Sequence, residues 1–143
     1  MTSANNLSRF IEAQDGVYEI ALGEIKNGRK MSHWMWFIFP QIKGLGYSET
    51  ARFYAIKSLD EASNYLHHPV LGKRLVEISS ELLHLTTNDA AAVFGSVDAM
   101  KLKSSMTLFS LVKNSNPVFK KVLDKFFDGM KDHKTIELVE SEN

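Results

Sequence analysis

Three features of the chain predict a mainly α-helical, single compact domain built around a buried aromatic segment. Apolar residues recur at helical spacing in every well-patterned segment, residues that cap helices stand at the matching boundaries, and the one run that could form a strand has no second run to pair with. At 143 residues, with 44% hydrophobic and 24% charged content, the chain suits one globular unit rather than a disordered segment. Residues 1–143 are therefore expected as one domain, frayed at 1–6 and 140–143.

The elements follow in order. Leu7, Phe10, Ile11 and Gln14 share a helical face, with Asn5 or Asn6 as N-cap. After Asp15-Gly16, a second helix from Val17 presents Tyr18, Ala21, Leu22 and Ile25, and Asn27-Gly28 ends it. The apolar run from Trp34 to Pro40 fits either a buried strand or a buried helical turn. Pro40 and the lack of a pairing partner favour one or two helical turns ending at Phe39. Ser48 caps a short helix carrying Phe53, Tyr54 and Ile56. Ser58-Leu59-Asp60-Glu61 matches a capping box and opens a helix with Leu59, Ala62 and Leu66 inward.

His67-His68-Pro69 marks the next boundary, with the proline in the first turn of the following helix. That helix has the cleanest seam in the chain: Leu71, Leu75, Ile78, Leu82 and Leu85, long enough for a central strut. Thr87-Asn88-Asp89 opens a short helix ending at Phe94-Gly95. Ser96 caps a longer one with Ala99, Leu102, Met106, Phe109 and Val112 on one face. Asn116-Pro117 starts a helix with an apolar stripe from Val118 to Phe127, and Asp132 caps the last, through Ile136 and Val139.

Charge and composition narrow the function. Seventeen basic residues balance seventeen acidic ones, which gives no general electrostatic grip on nucleic acid or an anionic membrane. The absence of cysteine excludes disulfides, thiolate catalysis and cysteine-containing zinc sites. No H-x-x-x-H pair occurs, so no metal is expected, and nothing calls for a cofactor. Without a signal-peptide pattern or an apolar run of ~20 residues, the chain reads as soluble and cytoplasmic.

The chemistry-bearing residues gather around Gly28–Gln41, which holds both tryptophans. Trp34 and Trp36 can stack on a planar ligand or be core. His33 beside them can serve acid–base work or grip a phosphate, or simply bond backbone at the edge of the core. Glu49 and Arg52, one helical turn apart beyond the Gly44-Leu45-Gly46 turn, could line the same cavity with Gln41 or form a surface ion pair. Lys101, Lys103, Ser104 and Ser105 offer a candidate phosphate-binding helix, against a reading as caps and a solvated face.

Several of these segments carry a family resemblance. Arg9 to Asp15, Gly28-Arg29-Lys30 with Ser32 to Gln41, Tyr54-Ala55-Ile56, His68 to Leu75, Phe94-Gly95 and Lys101 to Phe109 resemble the family called domain of unknown function 1810, some of whose members carry the label "calpastatin". The resemblance implies a mainly helical fold and no established activity. The label sits badly with a compact apolar chain, because calpastatins are long and disordered. A weaker resemblance, through Ser32-His33-Trp34, Tyr47-Ser48-Glu49 and Asn116-Pro117, is to NADAR-type N-glycosidases, which cleave N-glycosidic bonds of nucleotides with an acidic residue near the second of these motifs. Here Ala55 and Lys57 stand one residue further from Glu49 than in that pattern.

Two functions follow as expectations. One is an enzyme or binder acting on a nucleotide-like or other phosphate-bearing small molecule, with Glu49 and His33 catalytic and Trp34, Trp36, Gln41, Arg52, Lys101, Lys103, Ser104 and Ser105 binding the ligand. The other is a non-catalytic helical interaction or ligand-sensing module. They differ in whether His33, Glu49 and Lys103 converge on one solvent-reachable cavity.

Overall fold

A computed structural model describes residues 7–141. Of the described residues, 64% are helical. Ten helices run in the order α1 (Ser8–Gln14), α2 (Tyr18–Lys26), α3 (Met35–Ile38), α4 (Glu49–Phe53), α5 (Leu59–His67), α6 (Leu71–Leu83), α7 (Ala90–Phe94), α8 (Ser96–Ser110), α9 (Val118–Phe127) and α10 (His133–Ser141). Among the described residues there is no strand, only one parallel bridge between Ile42 and Ile56. No described helix is long and apolar enough to cross a membrane.

The boundaries follow the capping chemistry. Ser48 accepts from Ala51 N–H, Ser58 from Glu61 N–H and Asp89 from Ala91 N–H, each occupying a donor that the first helical turn leaves free. Asn116 Oδ1 takes Val118 N–H and Asp132 Oδ2 takes Thr135 N–H. His68 is also a cap, its Nδ1 accepting from Val70 and Leu71 N–H; Pro69 stands in the turn before α6 and not, as expected, in the helix's first turn. The proposed caps Asn5 and Asn6 lie outside the described residues.

Other expectations also need correction. Helix α4 ends at Phe53; Tyr54 is its C-cap, and Ile56 lies beyond it in the bridge. Gly95, at φ 81°, precedes α8 where Ser96 was expected to cap, and Ser96 is already helical. Glu140 and Ser141 belong to α10 instead of fraying. The hydroxyls of α8 do not form a solvated face, for Ser104, Ser105 and Thr107 are buried.

Four members of the α6 seam, Leu71, Leu75, Ile78 and Leu82, are buried, whereas Leu85, expected as the fifth, lies past the helix end at Leu83 and is only partly buried; α6 packs against α2, α5 and α9. Helix α8 packs against α5, α7, α9 and α10 and is buried on nearly every side from Leu102 to Phe109. A helix enclosed in this way shows no strong stripe, which is why sequence periodicity points to α6 instead. Two runs of aromatic rings fill the interior. Phe10, Tyr65, Phe109 and Phe119 link α1, α5, α8 and α9 at centroid distances of 5.1, 5.4 and 5.8 Å. Trp34, Phe39 and Phe94 form a second cluster at 5.9–6.4 Å.

Candidate functional site

Residues 34–39 take the helical alternative. Ile38 N–H bonds Trp34 C=O and Phe39 N–H bonds Met35 C=O, after which Pro40 ends the turn. Its free end is held from inside the protein. The buried Gln14 donates to Phe37 C=O at 2.9 Å and to Tyr65 Oη, while Arg74 donates to Gln14 Oε1. A carbonyl that the helix cannot satisfy is thereby paired.

Just upstream, Glu24 gathers the chain. Its Oε1 accepts from Met31 N–H (2.7 Å), Ser32 N–H (3.1 Å) and Trp34 Nε1–H (2.9 Å), and its Oε2 from Ser32 Oγ–H (2.6 Å). Burial alone would raise the Glu24 pKa, but the bonds from Ser32, Met31 and Trp34 outweigh it and lower the value to about 2. Trp34 is consequently sealed, with 0% exposure and its one donor satisfied.

Trp36 faces a different environment. Two residues on, about 200° around a helix, it is half-buried and lines a cavity of about 370 Å³, within the usual range for small-ligand sites. Tyr47 and Tyr54 add two more aromatic residues to the lining, Ile42 and Leu45 are aliphatic, and Gln41 is polar. Lys43 and Arg52 also line it, and neither has an ion-pair or side-chain hydrogen-bond partner among the described residues. Both continue, with Ala55, into an adjoining open groove bordered by Arg9, Glu12 and Lys57.

The cavity wall is built from close approaches. A Cβ on Gly46 would stand 2.5 Å from Ala51 Cβ, so only glycine lets the 44–46 turn close on α4. Arg9 donates to Phe53 C=O (2.8 Å) and Ala55 C=O (2.7 Å), and pairs with the fully buried Glu61 at 3.2 Å; Glu61 also accepts from Lys57 N–H. The segment after α4 is thus fixed by one buried ion pair.

Close to the two indoles lies a second set of charges. Asp98 Oδ2 pairs with Lys30 at 3.0 Å and its Oδ1 with Lys101 at 3.3 Å. Each lysine covers a different indole: Lys30 Nζ is 5.1 Å from the Trp34 ring centroid, Lys101 Nζ 4.6 Å from that of Trp36.

Of the residues singled out from sequence, Trp36, Gln41 and Arg52 meet at the cavity. Lys101 reaches it only indirectly, through the Trp36 ring. Trp34 is core. His33 and Glu49 are exposed and are not among the cavity-lining residues, and Glu49 forms no ion pair with Arg52 among the described residues. Lys103 lies 6.0 Å from the Phe127 ring. Ser104 bonds Met100 C=O and Asp132, and Ser105 is fully buried. His33, Glu49 and Lys103 are thus all absent from the cavity lining, whereas Lys43, Tyr47 and Tyr54 are lining residues that motif reading passed over. Lys43 and Tyr47 flank the Gly-Leu-Gly turn directly after the aromatic run, but only the folded turn brings them, with Tyr54, to the cavity.

The described residues accordingly form a small helical domain with an aromatic, cation-rimmed cavity beside its aromatic core. Residues 4–139 match the family model described as protein of unknown function (DUF1810), and the chain belongs to that family. It is also similar to the crystal structure of the conserved hypothetical protein Rv1873 from Mycobacterium tuberculosis. The two are 42% identical, with a TM-score of 0.92, over 94% of this chain and 96% of that one. No curated protein matches the chain.

Proposed function

We propose that this domain binds a planar aromatic small molecule carrying an anionic group, a nucleotide-like ligand, in the cavity lined by Trp36, Tyr47 and Tyr54. The observation that carries this is the coincidence of three aromatic residues with two unpartnered cations, Lys43 and Arg52, around one cavity of about 370 Å³. Aromatic faces stack on any planar ring with little selectivity, and the guanidinium fork suits a phosphate. The ring would sit against Trp36 and Tyr54, with Gln41 available to its polar edge and the anion at the Lys43–Arg52 rim.

Binding is preferred over N-glycoside cleavage because no carboxylate lines this cavity among the described residues. Such hydrolysis needs one to activate water or stabilise the developing cation. Glu49, the residue implied by the NADAR resemblance, is exposed and outside the lining; the carboxylate on the adjoining groove is Glu12.

Thermal unfolding with adenosine 5′-monophosphate at low ionic strength tests the proposal. A ligand that binds only the folded state adds about 2.7 kcal/mol of stability at 100 times its Kd, so the midpoint should rise with concentration. The rise should shrink in salt, which screens Lys43 and Arg52, and disappear in Trp36→Ala. An unchanged midpoint at millimolar nucleotide, or an undiminished rise in Trp36→Ala, would overturn it.

A further inference from the structure

We infer that Lys101, tethered by Asp98 over Trp36, is a specificity-determining residue that makes the cavity select neutral aromatic rings over cationic ones such as pyridiniums. The inference rests on the proposed ligand site and deepens it, because it states which rings that site accepts. A bare indole would do the opposite. Its face is the negative end of a quadrupole, and tryptophan is the best of the side chains at attracting a cation.

Here that attraction is already engaged. The Lys101 ammonium lies 4.6 Å from the Trp36 ring centroid, yet Lys101 is not among the cavity-lining residues whereas Trp36 is. The ammonium therefore sits on the ring without lining the cavity, and its field opposes a second cation brought to the same indole. Lys101 is held in that position. Asp98 Oδ1 pairs with it at 3.3 Å while Oδ2 pairs with Lys30 at 3.0 Å, so two lysines share one carboxylate and a surplus positive charge remains at the indoles. Lys30 is itself anchored, with an 8% exposed side chain and a bond from its Nζ to Ser32 C=O. At the rim, Lys43 and Arg52 add positive charge on the cavity side. A pyridinium would meet cations both at Trp36 and at the rim, whereas a neutral electron-rich ring would be polarised favourably by both.

Nicotinamide mononucleotide and its dihydro form provide the matched pair. They share the ribose, the phosphate and nearly the ring outline, and differ by one hydride and the ring charge. Calorimetric titration should show wild type binding the dihydro form more tightly. In Lys101→Met, which keeps an apolar stem over the indole, that preference should fall roughly two- to fivefold, the size of a partly exposed cation–π contact. An unchanged ratio in Lys101→Met would overturn the role of Lys101. If adenosine 5′-monophosphate and both nicotinamide forms all fail to bind wild type, the cavity reading itself falls. Adenosine 5′-monophosphate binding with a ratio unmoved by Lys101→Met overturns this inference alone.

Discussion

Trp34 and Trp36 are the same side chain two residues apart, one the N-cap of α3 and the other inside its single turn, and each has a lysine over its ring from a shared aspartate. Trp34 is sealed among Phe39 and Phe94 with its indole N–H on Glu24; Trp36 borders a cavity. The turn that starts between them separates them, since a strand would have put both on one face. A buried indole with its donor satisfied is a stability element. A half-buried one beside unpartnered cations is available for recognition.

The largest expected effect sharpens that contrast. Trp34→Ala should cost about 3–5 kcal/mol, as for a fully buried aromatic side chain, whereas Trp36→Ala should cost well under half as much; urea unfolding midpoints measure both. Equal losses would break the comparison. Arg9→Met comes next. It leaves the fully buried Glu61 without its cation, and removing one member of a buried pair typically costs about 3–5 kcal/mol. Partial exposure of Arg9 places the effect at the lower end, and the loss of the bonds to Phe53 and Ala55 should also loosen ligand binding.

How legible this was in the sequence depends on the range of the interactions. Caps act within three residues, so Ser48, Ser58, Asp89 and Asp132 were readable, as was the Leu71–Leu82 part of the seam. The Glu24 hub was not: it sits beside Ile25 on a helix whose pattern assigns it to solvent, and its partners lie seven to ten residues away across a turn. Ser104 and Ser105 read as surface hydroxyls for the same reason, because the packing of α10 and α9 against α8 is long-range. Three of the cavity residues were legible because the aromatic run is so concentrated. Lys43, Tyr47 and Tyr54 needed the 44–46 turn to be folded onto α4.

A smaller effect tests the hub itself. The Glu24 pKa is lowered in the fold, so its contribution to stability is fully present above the ordinary glutamate value of 4.5 and is lost as pH falls from there through about 2. Glu24→Gln should therefore be less stable than wild type at pH 7, by about 1.5–3 kcal/mol for bonds to a charged acceptor, and the two should converge towards pH 2. A difference independent of pH would remove the carboxylate from the account. The smallest effect belongs to Asp98→Asn. Its two lysine pairs are partly exposed, and it should shift the unfolding midpoint by no more than about 1 kcal/mol.

The most direct test of the central claim is acrylamide quenching of the single-tryptophan variants Trp34→Phe and Trp36→Phe, with and without adenosine 5′-monophosphate. Trp36, alone in Trp34→Phe, should be readily quenched and become protected when the nucleotide is added. Trp34, alone in Trp36→Phe, should resist quenching and be indifferent to the nucleotide. Two equally inaccessible indoles, neither altered by nucleotide, would contradict the division between core and cavity on which the functional reading stands.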